Sequence, residues 1–460
     1  MKKQLLLLIT VCLLGGASVI KAQISPFVAG RLQFTLDSVC NKYKIKGTSA
    51  AVLVPNVGIW KGTNGVSEAG VPLTSDMLLG MGSNTKTHIA AALLKMQEQQ
   101  LLSLDDSIGK WIIGYPNING QITIRQCLNH TSGLFDYMQA DAINDSIFSN
   151  PSKIWKPEEI LWMAKAPAFA PGTSWDYSNT NYIVAGIIIS KVMNKPAFDA
   201  MRDLILTPHQ LANTFNYDEH GSRTVAHPWS TSMDGKTLID MTTTPYLSNL
   251  FSLANTAGSL ITTAEDNVQF WYKLWSGQIV NAQSWKEMTT MQSLGGNDGY
   301  GLGIFLYSKK LNGRSFYCHG GTFFGFINEN MVDTTSGVTI SVLTNQDSVN
   351  NSGLMALVER ALHKVTLNMP PTGIADMNGV SNPVTMYPNP ASDQLNVDAG
   401  NIKQGTIVIQ DIMGRTLWSG EIAQQVTVIN TAALPEGIVL VTCKDESSGI
   451  QQTQRVQIVH

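Results

Sequence analysis

The sequence predicts a mixed α/β fold of the α+β kind: an antiparallel sheet flanked by helices, with a helical insertion, plus a small C-terminal all-β sandwich. Three observations lead there. Strand-like sequence stands at both ends of the first 368 residues, with helix-and-loop sequence between. Strand patterning returns after Gly299 and is closed by a helical repeat. A proline-rich stretch beginning Met369-Pro370-Pro371-Thr372-Gly373 then sets apart a tail of short alternating runs.

In chain order, residues 1–22 have a basic start at Lys2-Lys3, an apolar run from Leu5 to Leu14 and a small residue, Ala22, before Gln23. That is the pattern of a Sec-type signal peptide, cleaved after Ala22. The alternative, a lipoprotein, would need cleavage at Cys12, where Val11 stands in place of the usual small residue. No later stretch reaches the length of a membrane span. Val28, Leu32, Leu36, Val39 and Tyr43 recur at helical spacing, and residues 48–54 and 57–61 read as a strand pair about Pro55-Asn56. After Gly299, strands are expected at 302–307, 315–319, 324–332 and 338–343, followed by a helix carrying Leu354, Leu357, Val358, Ala361 and Leu362. The expected organisation is a domain over 23–368, a linker over 369–383 and a sandwich over 384–460, with strands at 395–397, 406–410, 416–418, 426–429 and 438–442.

Composition excludes several roles. The formal net charge is −3 with no basic run, so nucleic acid is not an expected partner. The charged fraction of 14% suits a compact chain rather than a disordered one. There is no His-Glu-x-x-His and no Cys-x-x-Cys, so neither a metal nor a cofactor is expected. Cys40, Cys127, Cys318 and Cys443 are sparse and unpatterned, and are expected to be buried free thiols. Cys318, next to His319 on a strand, should point to the opposite face.

The chemistry concentrates in Ser83-Asn84-Thr85-Lys86. Residues i and i+3 share a helix face. A hydroxyl needs an adjacent base to become a nucleophile, and a lysine held neutral by burial can be that base. A helix start also leaves free N–H groups for an oxyanion. Ser107-Ile108-Gly109-Lys110 has the same spacing, but follows Asp105-Asp106 and reads as a turn. Two later segments add Tyr177-Ser178-Asn179 and His319-Gly320-Gly321-Thr322.

In this order, Ser-x-x-Lys, Tyr-Ser-Asn and His-Gly-Gly resemble the three active-site motifs of the serine β-lactamase and penicillin-binding-protein superfamily. The resemblance is to its class C β-lactamase-like branch, which also holds D-alanyl-D-alanine carboxypeptidases and esterases. Leu128-Asn129-His130-Thr131-Ser132-Gly133-Leu134, Ala257-Gly258-Ser259-Leu260 and Tyr300-Gly301-Leu302-Gly303 match further landmarks of that branch. The resemblance implies a nucleophile at Ser83, a general base at Lys86 and a proton relay at Tyr177, if a nearby lysine lowers its pKa. It implies substrate binding by Asn179, His319, Gly320, Gly321 and Thr322, and an oxyanion hole from the N–H groups of Ser83 and Thr322. His130 is expected to hold a loop. Where β-lactamases carry Lys-Thr-Gly this chain has His-Gly-Gly, and a histidine near pKa 6.5 is mostly neutral at pH 7. That weakens carboxylate recognition and tilts the expectation toward carboxypeptidase- or esterase-like activity over β-lactamase. A penicillin-recognising binding or sensor protein with poor turnover is the reading from outside the enzymes. The implied substrate is a small molecule or peptide: a peptidoglycan-type D-amino acid peptide, an ester or a β-lactam.

The tail pieces Tyr387-Pro388-Asn389-Pro390, Asp411-Ile412-Met413-Gly414-Arg415 and Leu434-Pro435-Glu436-Gly437 resemble a type IX secretion C-terminal sorting domain. With the signal peptide, this implies export through the periplasm to the cell surface or medium, with the type IX machinery as partner of residues 384–460.

Overall fold

The computed structural model describes residues 24–141, 143, 147, 149–231, 237–347, 352–367, 384–400, 402–411, 414–447 and 451–460. The expected signal peptide and linker lie outside the described residues. The chain divides into two compact units, Met1–Met369 and Pro370–His460.

In the first unit, α1 (Pro26–Tyr43) starts at Ser25, whose side chain caps the Val28 N–H, and ends at Lys44 in the left-handed conformation. It leads into β1 (Gly47–Val54) and β2 (Gly58–Glu68). α2 (Thr85–Glu98), α3 (Thr180–Met193) and α4 (Ala264–Trp275) belong to the helical part that follows. The chain then returns to strands: β3 (Phe305–Leu311), β4 (Arg314–Cys318), β5 (Gly321–Phe323), β6 (Phe326–Asp333) and β7 (Thr339–Thr344), closed by α5 (Ser352–Leu367). The sheet is antiparallel, in the order Val71–Pro72, β2, β1, β7, β6, β4, β3, Asp298–Tyr300 and Gln292–Gly295, with β5 also pairing β6.

β1 and β7 run between two cores, which explains their near-continuous apolar sequence. Ala50, Val52, Ile340 and Val342 pack with Leu32 and Leu36 of α1 and with Val358 and Leu362 of α5. Ala51, Leu53 and Leu343 face the other way, into a core shared with α2, α3 and α4. α3 is apolar around its whole circumference, from Tyr182 to Ile189, because it is buried on every side.

Three strand boundaries differ from the sequence expectation: β2 runs on to Glu68, past the expected end at 61, and two later strands start late. The expected strand 324–332 is interrupted, because Phe324-Gly325 forms the turn between β5 and β6, with Gly325 at φ +91° and its N–H held by Asp347 Oδ2 at 2.6 Å. The expected strand 302–307 begins only at Phe305. Gly303, at φ +71°, bonds Leu128 O instead, and its φ and packing leave no room for a β-carbon.

The second unit holds two sheets. β8 (Thr385–Tyr387), β9 (Gln394–Asp398) and β12 (Val426–Asn430) form one, in the order β8-β9-β12. β10 (Gly405–Asp411), β11 (Thr416–Ile422), β13 (Gly437–Asp445) and β14 (Gln451–Ile458) form the other, in the order β11-β10-β13-β14. Leu395, Val397, Ile407, Ile409, Val439, Val441 and Val456 make its own core. β8 and β14 escape a sequence reading, the latter because Gln451-Gln452-Thr453-Gln454 hides the alternation.

Candidate active site

The turn Met81-Gly82-Ser83 feeds α2, and Gly82 takes φ +51° to make it. The turn is anchored behind. Asn84 donates to Asn267 Oδ1 and accepts from Trp271 Nε1, both at 3.1 Å on α4, and Asn267 in turn reaches Ser341 on β7. In front, it lies against β5. A β-carbon on Gly321 would stand 1.9 Å from Met81 O and 2.7 Å from Ser83 N, and one on Gly82 would stand 2.9 Å from Thr322 N. These contacts bring the Ser83 and Thr322 amides together at one place. They also give Gly320 and Gly321, expected to bind substrate, a packing role. Gly321 makes room for the Ser83 turn, and Gly320 for the Glu329 carboxylate, which a β-carbon would meet at 2.6 Å.

Lys86 is fully buried, and its Nζ lies 3.0 Å from Ser83 Oγ, 2.8 Å from Asn179 Oδ1 and 2.6 Å from Ala257 O. Burial lowers its pKa to about 7, opposed by the charge of Asp136. A neutral amine has two N–H donors and one lone pair. With the donors taken by Asn179 and Ala257, the lone pair faces Ser83. Asn179 cannot turn its amide over: its Nδ2 donates to Asp136 Oδ2 at 3.0 Å, and its N–H to Asp136 Oδ1 at 3.2 Å. Asp136 is half-buried, and burial holds its carboxyl above the usual range. The sequence reading missed it. The available signal was an acid placed to cap the short helix Tyr137–Gln139, directly after the His130–Leu134 landmark. Asn179, expected to bind substrate, has both ends of its amide hydrogen-bonded to protein.

Tyr177 has a buried hydroxyl and lines the cavity beside Ser83. Burial raises its pKa despite the opposing Ser83 hydroxyl. The expected lowering by a lysine does not occur, because burial outweighs it. Tyr177 is a phenol at neutral pH, a proton donor rather than a base.

His319 follows β4 and is buried. The tautomers along its hydrogen bonds follow from one fixed donor. The Ser178 N–H donates to His130 Nδ1 at 3.1 Å, so the other ring nitrogen of His130 carries the proton and donates to Tyr300 Oη at 3.2 Å. Tyr300 then donates to His319 Nε2 at 3.2 Å, and His319 Nδ1–H donates to Gly320 O at 2.7 Å. Burial, with the nearby Lys86 charge, pushes His319 down to about 3. It therefore brings no positive charge to a substrate carboxylate. His130, at φ +61°, holds its loop and orients Tyr300.

Ser83, Tyr177, His319, Gly320, Gly321 and Thr322 line one cavity of about 690 Å³, together with Trp175 and Phe305. Lys86 and Asn179 stand behind Ser83. The second Ser-x-x-Lys lies apart: Ser107 bridges to Thr123, and Lys110 is exposed and paired with Asp106. All four cysteines named above are buried and unpaired, and Cys318 faces the α1/α5 core.

A family model described as Beta-lactamase matches residues 20–363, and one described as Secretion system C-terminal sorting domain matches residues 385–459. The chain is 26% identical over 300 residues to the "Putative penicillin-binding protein PbpX" of Bacillus subtilis, covering 64% of this chain and 67% of that one. It is 28% identical over 197 residues to esterase EstB of Burkholderia gladioli, covering 39% and 50%. The chain thus spans two thirds and half of these curated relatives. Among solved structures, a D-stereospecific amidohydrolase from Streptomyces sp. superimposes with a TM-score of 0.63 at 28% identity, covering 72% of this chain and 98% of that one. The sorting-domain match indicates type IX secretion to the cell surface or extracellular space. Among the described residues, no helix is long and apolar enough to cross a membrane.

Proposed function

The chain belongs to the Beta-lactamase family, and on that premise we propose that it is an exported serine hydrolase that cleaves an amide or ester through an acyl-enzyme on Ser83. The observation that carries this is the buried lysine of lowered pKa, 3.0 Å from Ser83 Oγ, with its other donors pinned. Lys86 takes the hydroxyl proton as Oγ attacks the carbonyl carbon. The amides of Ser83 and Thr322 hold the oxyanion. Tyr177 donates a proton to the leaving group and regains one from the Lys86 ammonium. Water then attacks the acyl ester, with Lys86 again as base. Carboxypeptidase-like and esterase-like activity fit this site. The neutral His319 favours esters or amides that need no cation there over β-lactams and over peptides ending in a free carboxylate, which puts esterase-like ahead of carboxypeptidase-like activity. A panel of a chromogenic cephalosporin, a short-chain nitrophenyl ester and a D-Ala-D-Ala peptide tests the reading. Turnover of none, with no acylation of Ser83, would overturn it.

The pH profile follows from Lys86. Only the neutral amine accepts a proton, so kcat/KM should rise with pH and reach half its plateau near 7. The Asp136 carboxylate holds that pKa up, so Asp136→Asn should move the acid limb to lower pH. A limb that stays in place would assign it to another group.

We further propose that residues 384–460 address the protein and take no part in catalysis. Deleting them should leave the purified enzyme active, because Ser83, Lys86, Tyr177 and His319 all lie in the first unit. In a host with type IX secretion, the same deletion should strand the enzyme in the periplasm. Fractionation reads this directly, and normal export of the truncated form would refute it.

A further inference from the structure

The cavity at Ser83 continues past Gly320 to two carboxylates, Glu329 on β6 and Glu359 on α5. Pairing of Cys318 with Met331 sets Glu329 beside Gly320, where its carboxylate lies against the glycine Cα. Glu329 shares a strand face with Ile327 and Met331, which pack toward Met355, Val358 and Leu362 of α5. Glu359 comes from that helix, is 6% exposed, and its Oε1 has no hydrogen-bond partner. Burial raises the pKa of both, and each carboxylate's charge opposes the other's. An unpartnered buried carboxyl destabilises the fold, and an apolar residue would fill a purely structural position without that cost. Lys310 and Arg360 line the same cavity. Lys310 is engaged by Asp298 at 3.1 Å, and Arg360 is exposed; among the described residues neither forms an ion pair with Glu329 or Glu359.

We propose that Glu329 and Glu359 form a cation-accepting subsite of the Ser83 cavity, which seats an ammonium or guanidinium group of the substrate between the two carboxylates. This rests on the acyl-enzyme reading and adds a substrate class to it: amides or esters that carry a basic group. Binding leaves the cation matched by carboxylate charge. With His319 neutral, the same cavity disfavours an anionic substrate.

The test uses matched esters in the full-length protein: aminocaproyl, caproyl and adipoyl nitrophenyl esters for the acyl side, and aminomethylphenyl and ethylphenyl acetates for the leaving side. In at least one series, the cationic member should be preferred over the neutral one by about tenfold or more in kcat/KM. Glu329→Gln and Glu359→Gln should each collapse that ratio to within about twofold. The ratio is taken within each variant, so a general loss of activity cancels. No charge preference in either series, or a preference that survives both substitutions, overturns the subsite. Absence of all turnover, together with no fluorophosphonate labelling of Ser83, overturns the acyl-enzyme reading and the subsite with it.

Discussion

Ser83→Ala should abolish covalent labelling by a fluorescent penicillin or a fluorophosphonate and lower hydrolysis by a factor on the order of 10⁴ or more, while Ser107→Ala keeps both. The contrast is sharp because the two serines have the same Ser-x-x-Lys spacing and different surroundings. Lys86 is fully buried and its nitrogen lies 3.0 Å from Ser83 Oγ, whereas Lys110 is exposed and paired with Asp106. Only Ser83 has the Thr322 backbone across from it. The serine-to-alanine change removes one oxygen from a turn held by Asn84, Asn267 and Trp271, so the fold should stay intact. Label that persists at full rate in Ser83→Ala would place the nucleophile elsewhere.

Lys86→Met should slow acylation by roughly 10²–10⁴-fold, the usual worth of a positioned general base, and leave Ser83 slowly labelled. Methionine keeps most of the volume and removes a buried titratable group, which limits the packing cost. The substitution leaves Asn179 Oδ1 and Ala257 O without a donor, at about 1–3 kcal/mol for each acceptor that water does not reach. A moderate fall in Tm with a much larger fall in acylation rate is therefore expected. A rate that falls only in step with the unfolded fraction would make Lys86 a structural residue. Rapid-quench acylation and calorimetry on the same preparation separate the two outcomes.

Much of this was legible in sequence for a local reason. The two-sided burial of β1 and β7 writes itself as unbroken apolar runs, and the α1 stripe as a helical repeat. Ser83 and Lys86 share a helical turn, so their proximity needs no tertiary information. The groups that set the chemistry of Lys86 are different in kind. The Ala257 carbonyl is 171 residues away, and the Asp136–Asn179 link spans 43. Backbone carbonyls leave no mark on a sequence, and an aspartate in a loop is indistinguishable from a solvated one until the loop is packed. The sense of the Tyr177 shift was missed for the same reason: a neighbouring lysine argues for lowering it, and only the depth of the site shows that burial wins. Gly321 shows the limit most clearly. The sequence marks a place where a side chain is not tolerated, and the reason, the Met81 carbonyl, belongs to a segment far upstream.

The four thiols have a use that follows from their placement. Cys40, Cys127 and Cys318 lie in the first unit and Cys443 in the second, all buried, unpaired and shifted by burial to pKa values at which the reactive thiolate is scarce. Among the described residues a folded molecule presents no thiol to an alkylating reagent, and an opened one presents a countable number of them. Mass spectrometry of alkylated protein along a denaturant series would then distinguish molecules with one modified cysteine from those with three or four. The protein thus carries its own ledger of which unit has opened, with no label added and no residue replaced.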